Sequence, residues 1–544
     1  MERRVILAIL LMMIVAIAPS LIWPRKQADR RPGGSADSAA APRPAPPEPG
    51  VRPEQPPAQP AIRPSAQADT VWVSSPLYRY GLSTLGGRLV AAELRQYRSF
   101  APGDSGRAAQ IAPPGRPMLG YRLVTGADTL ALDDWTFAPS ARTVDVADSA
   151  ELVLTAARGG AGVGLTYRFA AGDYRLGVTG RVTGLPAGAT LILDVGDGLR
   201  SVEADSADDF RRFAVVRRGD RTESSGVGSF DPGERRVFDG PYQWAGIKSK
   251  YFLVAALAIR EGRPPFGGAV VTGFARPKGS APRAALQLTL PVPPSGEFAY
   301  DVYAGPLEHE RLQAIGHGFD DANPYGWSFL RPIIHPVSVV VVDILLWMHE
   351  RLAIAYGWVL VIFGVLVRLV LWPLNQKAME SSLRMQAVAP LLKDVQERYK
   401  KEPERLQREM LRLYREHKVN PFGGCLPMLL PLPVLFALFF VFDNTIAFRG
   451  VPFLWLPDLA RADPYYVIPL LMGISMFAVM KVGQIGVPPN PQMKMMLYFM
   501  PVMMVVVLYR FASGLNLYYT VQNLVSLPQQ YMIAKRRLRQ AGKT

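Results

Sequence analysis

The sequence predicts an α-helical polytopic membrane core of six spans, N-terminus and C-terminus cytoplasmic, joined to an all-β sandwich domain on the other side of the membrane. Three observations predict it. Long apolar runs are confined to residues 5–23 and to the part of the chain beyond residue 354. Residues 70–310 instead show short runs alternating apolar with polar residues, punctuated by Gly, Pro and Asp-Gly turns. Basic residues gather in the 375–420 segment and at the C-terminal end, and the positive-inside rule assigns both to the cytoplasm.

Composition narrows the classes further. Lys and Arg outnumber Asp and Glu by 61 to 45 in 544 residues, a formal charge of +16. Such a balance suits nucleic acid, an anionic membrane or orienting loops, and its placement beside apolar runs favours loops and membrane lipids over any direct reading of nucleic acid. A single cysteine, Cys425, excludes an intramolecular disulfide framework and a multi-cysteine zinc site.

Each element follows in order. Residues 1–23 place Arg3 and Arg4 before an apolar run without a clear small-residue cleavage pattern, which predicts an uncleaved membrane anchor. Residues 24–69 are rich in Pro, Ala and charge and cannot bury enough apolar surface to fold, so they read as a flexible linker. In 70–310, runs such as Ala150-Glu-Leu-Val-Leu-Thr155, Leu165-Thr-Tyr-Arg-Phe169 and Tyr251-Phe-Leu-Val-Ala-Ala-Leu257 predict the strands of a sandwich. Residues 311–353 form a connector whose 336–348 stretch, short and interrupted by Asp343, reads as an interfacial amphipathic helix. The core, 354–532, holds five spans near 354–374, 426–446, 465–480, 495–511 and 514–528, and 533–544 is a basic cytoplasmic tail. Within 375–420, Met379, Leu383, Ala387, Leu391, Val395 and Tyr399 recur every four residues, Lys401-Glu-Pro403 breaks the run, and Leu406, Met410 and Leu413 resume it. A helical hairpin follows, with Pro390 bending its first arm. Its basic residues Arg384, Lys393, Arg398, Lys400 and Lys401 suit lipid headgroups, or a docking arm for an incoming chain or a ribosome.

Chemistry concentrates in two places. Arg368 lies inside an apolar span, seven residues before Asn375, where a lone cation costs about 3 kcal/mol. Either it snorkels to the inner headgroups, or water or an acidic guest meets it. Gly364, one turn earlier, leaves room for a guest backbone or for helix packing. In the last span Asn516, Tyr519, Thr520, Asn523 and Ser526 share one helical face, with Tyr518 and Gln522 beside it. That face lines water, a guest or a neighbouring helix, because polar atoms facing lipid would go unsatisfied. Catalytic readings fail on inventory. His309, His317, His335, His349 and His417 all lie outside the spans, His349-Glu350 lacks a second zinc-binding histidine, and Gly542-Lys-Thr544 lacks the rest of a phosphate loop. No enzyme activity, cofactor or metal is expected.

These residues resemble the YidC membrane-protein insertase family of bacteria with two membranes. The resemblance is carried by Val367-Arg-Leu-Val-Leu-Trp-Pro-Leu374, Asn420-Pro-Phe-Gly-Gly-Cys-Leu-Pro427, Asp463-Pro-Tyr-Tyr466, Leu470-Leu-Met-Gly473, Phe499-Met-Pro501, Ser513-Gly-Leu-Asn-Leu-Tyr-Tyr519 and Gln522-Asn-Leu524. Leu85-Gly-Gly87 and Trp244-Ala-Gly-Ile-Lys-Ser-Lys-Tyr-Phe252 are similar to the family's periplasmic β-domain. Pro431 departs from it, standing where a glutamine is usual and crowding prolines into the third span. The resemblance implies a five-helix core around a hydrophilic groove, with Arg368 at the groove arginine position and Tyr518 and Tyr519 at its paired aromatic positions. It implies insertion and folding of nascent membrane proteins in the inner membrane, alone or beside the Sec translocon, with delivery by ribosomes and without nucleotide hydrolysis. Two other readings compete with it: a transporter or channel for an anionic solute, against which the absence of internal repeats speaks, and an anchored periplasmic carbohydrate-binding protein.

Overall fold

The computed structural model describes residues 68–126, 128–186, 188–260, 262–277, 279–326, 330–400, 402–417, 432–486 and 491–540. The expected anchor, nearly all of the expected linker, Lys401, Cys425, Pro431 and the side chains of Arg384 and Lys393 lie outside the described residues.

The alternating segment forms sheets of five, nine and six strands, antiparallel except where Thr70–Ser74 pairs in parallel with Thr143–Asp145 in the five-stranded sheet. The predicted runs at 150–155 and 165–169 pair with each other, Leu165 opposite Leu154 and Tyr167 opposite Leu152, so their apolar faces coincide. Val163, Leu165 and Tyr167 of the nine-stranded sheet meet Leu191, Leu193 and Leu288 of the six-stranded one in a single core. Buried phenols inside that core satisfy one another. The Tyr300 hydroxyl donates to Tyr121 at 2.9 Å, Tyr121 and Tyr167 share a hydrogen bond at 3.0 Å, and Tyr167 donates to the Gly87 carbonyl at 2.8 Å. Gly87 has φ +64°, and a Cβ there would stand 3.0 Å from Leu165, which explains the glycine pair of Leu85-Gly-Gly87.

One run departs from its expected pattern. Residues 251–257 do not alternate: the strand Phe252–Leu257 is buried at every position, and so is its partner Trp244–Lys248. The cause is a second cover. Beyond the sheet, the 309–326 segment packs over this hairpin, with Phe319 5.0 Å from Trp244 and the indole donating to the His317 carbonyl at 3.2 Å. A strand covered on both faces loses the polar half of its alternation.

The helices are α1 (Ser206–Arg212) and α2 (His309–Ile315) beside the sheets, then α3 (Arg331–Leu352), α4 (Tyr356–Arg398), α5 (Pro403–Glu416), α6 (Leu432–Asn444), α7 (Val467–Gly483), α8 (Pro491–Leu508) and α9 (Ser513–Gln540). By length and composition, Arg331–Leu352 and Tyr356–Gln376 could each cross a membrane, whereas Pro433–Asn444, Val467–Gly483 and Met493–Leu508 are shorter apolar helices. Along α3, Ile333, Val340, Ile344 and Trp347 are exposed while Ile334, Val341, Val342, Leu345 and Met348 are buried, so this helix presents one apolar face outward and one inward. α4 runs unbroken through Pro373 and Pro390 for 43 residues, about 65 Å at 1.5 Å per residue. The first turn of α7 is held by Asp463, whose carboxylate accepts from the Tyr465 and Ile468 amides at 3.0 and 2.8 Å. α9 also outruns its expected end. It continues through Pro528 to Gln540, because beyond the proline Arg537 is buried and donates to the Gly483 carbonyl of α7 at 2.6 Å.

Candidate functional site

α4 and α9 meet along a polar seam. Gly364 is buried there, and a Cβ on it would stand 3.1 Å from Val521 and 3.6 Å from Tyr518, so α9 takes up the space that its missing side chain leaves. The Gln522 amide donates to the Gly364 carbonyl at 2.7 Å. One turn further along α4, half-buried Arg368 donates from Nη2 to the Oε1 of Gln529 at 2.8 Å. Among the described residues Arg368 has no carboxylate partner, and its buried Nε has no hydrogen-bond partner. Tyr518 is buried with its ring 6.1 Å from Phe363, and the Tyr519 ring lies 5.8 Å from that of Tyr518.

The polar face expected on α9 divides between two neighbours. Asn523 donates to Ser475 of α7 at 3.1 Å, and Asn516 donates to the Leu508 carbonyl at the end of α8 at 3.0 Å. Thr520 donates to the Asn516 carbonyl at 2.8 Å and Ser526 to that of Asn523 at 2.7 Å, both within α9. Thus Asn516 and Asn523 bind helices together, whereas Tyr518, Gln522 and Gln529 face α4. Sequence reading missed Gln529, although its seven-residue spacing from Gln522 places it two turns along the same face. Arg398 and Lys400 are exposed at the far end of α4.

A second polar assembly joins the β-domain to the loop between α6 and α7, and nothing in the local sequence signalled it. Arg449 donates to Glu203 at 2.8 Å, to the Arg98 carbonyl at 2.8 Å and to the Val202 carbonyl at 3.2 Å, with its guanidinium 4.5 Å from the Phe100 ring centre. Its side chain is 3% exposed and that of Glu203 12%. Asp443, at the end of α6, pairs with Arg212 at 2.5 Å and lies 3.8 Å from Lys250. Lys248 donates to Asn323 at 2.8 Å, Asn323 donates to the Asn444 carbonyl at 2.8 Å, and Asn444 donates back to the Pro324 carbonyl at 2.9 Å. The Trp244-to-Phe252 motif is therefore the edge of the β-domain that meets the helical core.

Burial governs the titration of this assembly. It pushes the Glu203 carboxyl from 4.5 up to about 7, against the pull of Arg449. It pushes the Lys248 ammonium from 10.5 down to about 7, Arg212 adding to the effect and Asp443 opposing it. The signs give opposite windows. Between about 4.5 and about 7 folded Glu203 holds its proton more than the unfolded chain does, so stability falls as pH rises; Lys248 restores stability only as pH rises above about 7. Thermal unfolding of the solubilised full chain should therefore show wild type losing stability relative to Glu203→Gln as pH rises across the lower window. Parallel curves for the two proteins would rule out the assignment.

A metal centre is not favoured at the one cluster of suitable groups among the described residues. The ligand atoms of Asp320, Asp321 and His335 lie within 4.8 Å of one another, but Asp321 already accepts from Arg218 at 3.0 Å and from Arg331.

Comparison with known proteins adds to this geometry. The family described as "60Kd inner membrane protein" matches residues 347–540, and the "YidC periplasmic domain" family matches residues 70–336. A membrane protein insertase YidC of Anaeromyxobacter dehalogenans is 30% identical to this chain over 86% of each, and one of Geobacter metallireducens is 29% identical over 98% of each. A crystal structure of an active YidC insertase with its first transmembrane domain resolved is similar over 86% of this chain and 93% of that one, at 16% identity and a TM-score of 0.34.

Proposed function

The chain belongs to the YidC family of membrane protein insertases, and on that premise we propose that it inserts and folds integral membrane proteins in the bacterial inner membrane, without nucleotide hydrolysis, along the seam between α4 and α9. The observation that carries this reading is Arg368: a half-buried cation on an apolar helix, met by a neutral glutamine and by no carboxylate among the described residues.

Energetics give the cation its task. An apolar helix enters lipid downhill by tenths of a kcal/mol per residue, roughly, whereas each charge in its polar flank is uphill by about 3 kcal/mol. Arg368 offers an acidic flank a counter-charge inside the cytoplasmic half of the bilayer, and the apolar part of the guest leaves sideways into lipid. Tyr518 and Tyr519 border its path, Asn516 and Asn523 hold α9 against α8 and α7 so that the seam keeps its shape, and Thr520 ties back to the Asn516 carbonyl within α9.

The topology belongs to the same proposal: six spans, both termini cytoplasmic, α3 lying in the outer interface and the β-domain in the periplasm. Two features support it. The basic hairpin of α4 and α5 belongs inside, and the β-domain contacts the α6–α7 loop, one span removed from that hairpin. Partners are nascent membrane proteins, the Sec translocon, ribosomes and anionic lipids, the last two meeting exposed Arg398 and Lys400. Photocrosslinkers placed at positions 368 and 519 should capture a ribosome-bound nascent single-span protein, while one at exposed Val237 of the β-domain should not. Equal capture at all three positions would discard the seam as the path.

A further inference from the structure

We infer that Gln529 is a positioning residue for Arg368, holding its guanidinium for an incoming carboxylate that must displace it. The inference rests on the reading of Arg368 given above and extends it to a residue outside the expected site.

Geometry identifies the role. A carboxylate that grips a guanidinium from the side uses the Nε and Nη2 hydrogens together, two parallel bonds across one edge. On this edge of Arg368, Nη2 is held by Oε1 of Gln529 at 2.8 Å and Nε has no partner among the described residues. The glutamine itself is 3% exposed, and its Nε2 also lacks a partner among them. Gln529 therefore occupies half of a two-pronged site and, among the described residues, leaves the other half buried and unpaired, to be reached only when the glutamine moves aside.

The choice of side chain matters. An amide oxygen fixes the cation in place but cannot neutralise it, and its single bond is weaker than a charge-assisted pair. A glutamate at this position would complete the fork permanently and silence the charge. A leucine would leave the guanidinium unheld. Glutamine orients the cation while leaving it open to exchange for a carboxylate. The ligand class is thus the Asp or Glu side chain of a substrate flank, gripped at Nε and Nη2 as Gln529 lets go.

The test uses the full chain reconstituted in vesicles of zwitterionic and anionic phospholipid, with a single-span substrate carrying either aspartates or asparagines in its translocated flank. The readout is the ratio of insertion for the two flanks, which a merely structural loss leaves unchanged because it lowers both together. Gln529→Glu should lower that ratio by about tenfold, the scale of one lost hydrogen bond to a charged group. Gln529→Leu should lower it by a smaller factor, and it serves as the arbiter should the glutamate variant misassemble. In an Arg368→Ala background neither change should move the ratio further, since the two residues act as one unit. If Arg368→Ala lowers the ratio while both Gln529 variants leave it at the wild-type value, the positioning role is overturned and the role of Arg368 stands. A ratio untouched by Arg368→Ala overturns the reading of Arg368, and this inference with it.

Discussion

Arg368→Ala should reduce insertion of single-span substrates with acidic flanks by at least about tenfold, while substrates with neutral flanks lose much less, because what disappears is a counter-charge of roughly 1.5–3 kcal/mol for a buried carboxylate. Arg368→Lys keeps the charge but replaces a planar fork with a point donor, so it should recover only part of the loss. Reconstituted insertion of matched acidic and neutral substrates measures both. Equal activity of wild type and the alanine variant on acidic flanks would remove electrostatics from the mechanism. Among the described residues the guanidinium of the wild-type protein, half-buried, is bound to Gln529 and to no carboxylate, so its charge remains available to a guest.

The second large effect concerns stability. Arg449→Ala should weaken the attachment of the β-domain by about 3–5 kcal/mol, the usual result of stripping one partner from a buried ion pair. Here the guanidinium is nearly inaccessible and also donates to two backbone carbonyls, so alanine would strip its donor from Glu203 and one donor each from the Arg98 and Val202 carbonyls, the latter keeping the Phe100 amide. Above about pH 7, where Glu203 ionises, most of the loss should come from the stranded carboxylate; below it Glu203 takes up a proton and the loss should shrink. The double variant Glu203→Gln with Arg449→Ala is then expected to be more stable than Arg449→Ala alone, a coupling that denaturant unfolding of the solubilised protein can measure. Should both variants unfold alike, the carbonyl contacts, and not the ion pair, hold the domain.

Much of this protein was legible before any coordinates. Apolar runs marked α4 and α6 to α8, because a helix satisfies its own backbone hydrogen bonds and so needs no polar side chains along its length. Period-two alternation marked Ala161–Ala170 and its partner Ser149–Arg158, since each has one face in the core. Arg368 stood out because a cation inside an apolar span is costly enough to need a reason. The run at 251–257 was misread as alternating, since its second face is covered by residues more than fifty positions away.

Partner choice was not legible. Helical spacing put Asn516, Thr520 and Asn523 on a common face, but spacing assigns a face and not a neighbour, so only packing could give Asn523 to α7 and Gln522 to α4. The same holds more strongly for Arg449 and Glu203, 246 positions apart, each an ordinary charged residue in its own surroundings. What the sequence by itself determined were the properties of segments: which are helical, which are strands and where apolar and basic residues gather, all set by residues within a few positions of one another. Tertiary structure alone decided that Gln529 holds Arg368, that α9 continues past Pro528 and that an ion pair joins the β-domain to the core. Those contacts depend on which distant surfaces pack together, and that selection is made by the whole chain, because no short stretch contains both halves of any of them.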